Sequence, residues 1–150
     1  IGIIMDYKTA LGLAGEKIAK EFFIKEGKKV EDSIDPFDNK KDMIVDGKHT
    51  EVKTQVPWVF QKSFTIKNNH QLNKCKNADM LIFVQAPCTR LPSCAIYQVM
   101  KDFSYTTRTT KKNGDNMVLI PMNQEKVKKI AEFKKGSIQY NTLLKYRTDF

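Results

Sequence analysis

The chain has 150 residues, 41% hydrophobic and 29% charged, with 26 Lys and Arg against 17 Asp and Glu for a net charge of +9. That length suits one domain with a real core, and the charge favours a polyanionic partner, nucleic acid being the commonest. No apolar run approaches the length that spans a bilayer, and three cysteines without a Cys-x-x-Cys pair argue against a disulfide framework or a zinc site.

Ile1–Met5 is apolar but too short for a signal peptide and lacks its basic flank, and Met5 is a candidate native start. The expectation is an intracellular, cytoplasmic protein of bacterial, archaeal or phage type, with no membrane partner. Tyr7–Glu26 then predicts a helix closed by Gly27. Leu11, Ala14, Ile18 and Phe22 form one stripe at helical spacing, widened by Ala19 and Phe23. Glu16 sits at the edge of that stripe. It is either amphipathic trim or a carboxylate turned toward the sheet.

Lys28–Ser33 reads as a short strand, and Asp35–Lys40 as a turn-rich loop. Next come two apolar-flanked runs meeting at Asp46-Gly47, a strong signal for a two-residue hairpin turn. Counting outward pairs Val45 with Lys48, Ile44 with His49, Met43 with Thr50 and Asp42 with Glu51. Lys53 and Gln55 share the face of Glu51, because side chains repeat every two residues along a strand. Met43, Val45 and Val52 fall on the other face. Two carboxylates directly opposite each other cost roughly 0.2–1 kcal/mol. A hard divalent cation between them, with an ammonium two residues along, offsets that cost. The plainer alternative is a solvent-facing hairpin with ordinary surface charges.

Pro57 ends the second hairpin strand. Trp58, Phe60, Phe64 and Ile66 keep even spacing and predict a further strand or extended loop within 59–66, and Asn68–Lys76 suits a short helix. Met80–Val84 is a continuous apolar run, as in strands buried on both faces at the centre of a parallel sheet. Pro87 and Pro92 bracket a loop carrying Arg90. Cys94–Val99 and Asn116–Pro121 predict two more strands, joined by a basic loop over Arg108–Gly114. Gln124–Lys134 predicts an amphipathic helix around Val127, Ile130 and Phe133, and Ile138–Phe150 holds enough apolar residues to pack. The sum is an α/β chain with a mixed sheet flanked by helices.

With these residues in place, the chain resembles the PD-(D/E)XK nuclease superfamily, the restriction-endonuclease-like fold. The resemblance rests on Gly12-Leu13-Ala14-Gly15-Glu16 in the first helix, Asp42 opening the second strand, and Glu51-Val52-Lys53-Thr54-Gln55 in the third. The stretch through Gln55 is most similar to small archaeal Holliday-junction resolvases. Lys41 stands where the motif's proline often precedes the aspartate. The resemblance covers a core of about 7–85, with 86–150 as a C-terminal elaboration of the same single domain.

The resemblance implies a restriction-endonuclease-like α/β fold and a Mg2+- or Mn2+-dependent endodeoxyribonuclease. By it, Asp42, Glu51 and the backbone carbonyl of Val52 ligate the metal, and Glu16 completes the shell. Lys53 positions a water and stabilises charge on the scissile phosphate, and Gln55 supports Lys53 or the phosphate. The basic loops beyond a minimal resolvase lean toward a site-specific duplex cutter of homing or restriction type. A junction resolvase is the alternative within the class, and a non-catalytic DNA-binding protein on a nuclease fold the alternative outside it. Cutting two strands needs two sites, so a homodimer or higher symmetric oligomer is expected. Lys62, Lys67, Asn68, Arg90, Arg108, Lys111 and Lys112 are candidate DNA contacts, joined more loosely by Asn69, Gln71, Lys74 and Lys76. His49 reads as a hairpin surface residue rather than a ligand. No Gly-rich phosphate loop is present.

Overall fold

The computed structural model describes residues 6–32, 43–109 and 116–146. Helix α1 spans Tyr7–Lys25 and starts at Asp6, whose side chain accepts from the Thr9 amide at 2.8 Å. Strands β1 (Val30–Asp32), β2 (Met43–Val45) and β3 (Lys48–Gln55) follow as an antiparallel meander. Asp46 and Gly47 both hold positive φ, 48° and 77°, as a hairpin turn matched to strand twist requires. The pairs Val45–Lys48, Ile44–His49 and Met43–Thr50 are all present. The fourth expected pair involves Asp42, which lies outside the described residues.

From β3 the chain passes through β4 (Ser63–Ile66) and α2 (Asn69–Asn77) before β5 (Met80–Gln85) returns parallel to β3. Then come β6 (Cys94–Val99), β7 (Thr106–Thr109), β8 (Asn116–Pro121), β9 (Val127–Phe133) and helix α3 (Ile138–Leu144). Six strands form a mixed sheet in the order β1-β2-β3-β5-β6-β9, and three form a second sheet, β4-β8-β7. The result is an α/β arrangement with a mixed central sheet flanked by helices.

Two cores lie on opposite faces of the six-stranded sheet. Ile18, Ala19 and Phe23 of α1 and Tyr140 and Leu143 of α3 cover Met43, Val45, Ile82, Val84 and Ile96. On the other face, Phe64, Val118 and Ile120 of the second sheet and Leu72 of α2 cover Leu81, Phe83 and Val99. Phe64 stacks on Phe83, centroids 4.4 Å apart, and meets Tyr97 edge-on at 5.3 Å. Among the described residues no helix is long and apolar enough to cross a membrane.

The structure corrects two expectations. The helix expected over Gln124–Lys134 is strand β9. Its pairing with β6 shifts between Ile96 and Tyr97, so Ile130 is an unpaired extra residue, a β-bulge. Before the bulge Val127 faces one core; after it Ile130, Ala131 and Phe133 face the other. A strand that changes sides this way carries apolar residues three apart, which imitates a helix. The basic loop expected from Arg108 starts instead inside a strand, since Arg108 and Thr109 belong to β7 and pair with Met117 and Asn116. Asn69 and Gln71 lie on α2, within the helix expected over Asn68–Lys76.

Candidate active site

Strand β3 carries the centre of the site. It pairs with β2 only as far as Thr50, and with β5 from Thr50 to Gln55. Among the described residues nothing pairs with the β2 side of β3 beyond Thr50. The carbonyls of His49 and Gln55 accept from Asp79 and Ala86 on the β5 side. Carbonyl direction alternates along a strand, so those of Val52 and Thr54 face the unpaired edge.

Glu51 and Lys53 share a face, as counted from the turn. Glu51 is 4% exposed, rare for a carboxylate. Lys53 Nζ sits 3.1 Å from Glu51 Oε1 and donates to Gln71 Oε1 at 2.9 Å. Two of the three ammonium donors are thus held by described residues in fixed directions. Gln71 reaches Lys53 from α2, whose first turn is capped by Asn68 Oδ1 accepting from the Gln71 amide at 2.9 Å. No local pattern in the sequence links Gln71 to Lys53, 18 residues earlier; only the crossover through α2 brings them together.

The Gln55 side chain reaches the second sheet. Its Nε2 donates to the Thr65 carbonyl at 2.9 Å, and its Oε1 accepts from the Thr65 amide at 2.7 Å. A side-chain amide here stands in for a strand partner and ties the second sheet to the end of β3.

Glu16 lies on the other side of the unpaired edge. It lines a cleft of about 690 Å³ between α1 and β3, together with Val52, Lys53 and Thr54. Lys8, Lys17 and Lys20 line the same cleft with Asp32, which pairs with Lys20 at 3.6 Å, so Lys8 and Lys17 supply its excess positive charge. Gly15 sets the depth of the cleft. A Cβ there would collide with the Thr54 side chain, including Cβ and Cγ2 at 2.6 Å, so only glycine lets α1 approach β3 this closely. The sequence reading placed Gly15 in the motif without this packing reason.

The structure thus brings Glu16, Val52 and Lys53 to one cleft and pairs Lys53 with Glu51. Asp42, Lys111 and Lys112 lie outside the described residues. No three His, Cys, Asp or Glu gather in a metal-holding group among the described residues. His49 is half-buried, its amide donating to Asp79 Oδ2 at 3.0 Å. Of the candidate DNA contacts, Lys62 and Lys67 are exposed and Asn68 is engaged as the α2 cap. Lys76 donates to the Tyr105 hydroxyl at 2.8 Å. Arg90 lies over the Phe60 ring at 5.3 Å and Arg108 over Trp58 at 5.0 Å. No family model, curated protein or solved structure matches the chain.

Proposed function

We propose that the chain is a metal-dependent endodeoxyribonuclease of the restriction-endonuclease-like fold, with its active site at the unpaired edge of β3. The observation that carries this reading is the nearly buried Glu51 carboxylate held 3.1 Å from the Lys53 ammonium on one strand face. Burying such a pair costs desolvation that a purely structural site has little reason to bear. The element order gives further support: a helix, three antiparallel strands, a crossover helix and a fourth strand parallel to the third. The three hairpin pairs match the count made from the turn; the fourth pair of that count, Asp42 with Glu51, lies outside the described residues and is part of the proposal.

The donors fit a hard cation. Glu51, the Val52 carbonyl, Glu16 and Asp42 are all oxygen ligands, the kind magnesium or manganese takes while keeping several waters. Such an ion, when bound, would supply a water more acidic than bulk water and positive charge at the phosphate. The rest is the work of the chain. Glu51 anchors one edge of the site. Lys53, its Nζ aimed by Gln71, stabilises charge developing on the scissile phosphate. Lys8 and Lys17 draw the DNA backbone toward the cleft. Gln55 keeps the second sheet, with Arg108, against the end of β3.

Within this class, a site-specific duplex cutter of homing or restriction type is preferred, because Arg90 and Arg108 stand on elements beyond the minimal core. A four-way junction, a plasmid and single-stranded DNA are incubated side by side with magnesium. One recurrent cut in the plasmid supports the site-specific reading, and cutting of the junction alone supports a resolvase. A second reading, a non-catalytic DNA-binding protein, has its own support: Lys53 already balances Glu51 without a metal. DNA binding with no cutting of any substrate would select it.

A further inference from the structure

Phe60 is 79% exposed at the tip of the turn between Trp58 and Ser63. A single exposed aromatic is ordinary. Three features set this one apart. Both aromatics of the region carry an arginine on their rings, Arg90 on Phe60 and Arg108 on Trp58. Lys62, held at φ 45°, adds a third cation to the same turn. The stretches 57–63 and 86–93 that supply Phe60 and Arg90 contain no acidic residue, and neither does β7.

The two turns also leave the same end of the sheet. One follows β3 and the other follows β5, and these strands run parallel. Ligands of α/β sheets gather at the carboxyl ends of parallel strands. A guanidinium lying on a ring keeps its N–H edge available for phosphate. An uncovered ring face surrounded by such cations is the chemistry that receives a base and its flanking phosphates.

We propose that these two turns form a stacking platform for one unstacked base of a bound nucleic-acid strand, with Phe60 as the ring face and Lys62, Arg90 and Arg108 contacting the backbone. The proposal rests on nucleic acid as the partner but not on hydrolysis. Phe60 is seven positions along the chain from Lys53, a span of at most about 25 Å of extended chain. At 3.4 Å per nucleotide along a strand, the stacked base lies within about seven nucleotides of the phosphate at Lys53.

The test is binding by the full chain in EDTA, which separates it from cutting. The probes are oligonucleotides carrying 2-aminopurine at successive positions: single-stranded, fully paired, and paired with a one-nucleotide bulge. Wild-type protein is expected to change the fluorescence at one position of the single strand and the bulged duplex. Phe60→Ala is expected to abolish that change and weaken binding to both by about 5- to 150-fold, while Phe60→Trp keeps both. Arg90→Ala is expected to lower the salt-dependence slope by about one. A Phe60→Ala protein that binds all three probes within twofold of wild type overturns the platform. Equal loss on every probe with no fluorescence change overturns it too. Wild-type cutting of plasmid alongside either result leaves the nuclease reading standing, and absence of wild-type binding to any probe removes the nucleic-acid partner itself.

Discussion

Replacing Lys53 by methionine removes the ammonium while keeping most of its length and apolar stem. Glu51 then stays buried with its partner gone, since its side chain is 6% exposed and that of Lys53 17%. Breaking a buried pair from one side costs about 3–5 kcal/mol, and water reaching the Lys53 end places this case near about 3 kcal/mol. For a chain of this size that lowers Tm by roughly 6–12 °C. Under the proposed reading, a divalent cation on Glu51 would take over the role of the ammonium. At about ten times its dissociation constant magnesium returns roughly 1.4 kcal/mol. Urea unfolding of wild type, Lys53→Met and the double variant Glu51→Gln/Lys53→Met, each with EDTA and with magnesium, reads both effects. The single variant should be the least stable in EDTA and gain the most from magnesium, and the double variant should recover stability and ignore the metal. A Lys53→Met protein as stable as wild type, or one indifferent to magnesium, would refute the reasoning.

Gly15→Ala is expected to lose about 1–3 kcal/mol of stability by forcing α1 off Thr54, and to slow plasmid nicking as Glu16 moves from β3; an unchanged midpoint would contradict the close-approach argument. Asn68→Ala should cost about 1 kcal/mol as a lost helix cap and slow cutting further by freeing Gln71 from Lys53, whereas Asn68→Asp should restore both; urea midpoints and nicking rates read the two effects. Burial pushes the Cys94 thiol from 9.0 up to about 11. The unfolded chain therefore loses that proton first. The stability tied to Cys94 is whole below pH 9 and declines as pH climbs toward about 11. Unfolding free energies of Cys94→Ala should fall less steeply than wild type across that window.

What the sequence discloses here is local. Asp46-Gly47 defines the hairpin because two adjacent residues must both take positive φ, and the register follows by counting. The apolar run of β5 and the Asn68 cap of α2 are equally self-contained. The shared face of Glu51 and Lys53 is legible for the same reason, since two residues along a strand is a fixed geometry, whereas their ion pair is not. What stayed hidden depends on chain segments far apart. The second sheet needs β4 to find β8 across more than 50 residues, and nothing within either strand announces it. The bond from Gln55 to Thr65 depends on that docking, so its role could not be read from its place two residues after Lys53. In β9 the apolar spacing belongs to a bulged strand exchanging faces, and periodicity alone assigns it to a helix.

Supercoiled plasmid nicking with magnesium and with EDTA, by wild type, Glu51→Gln and Lys53→Ala, tests the nuclease assignment most directly. Wild type should cut only with magnesium, and both variants should lose cutting while still shifting DNA on a gel. Undiminished cutting by Lys53→Ala, or cutting by wild type in EDTA, would contradict a metal site built on the edge of β3.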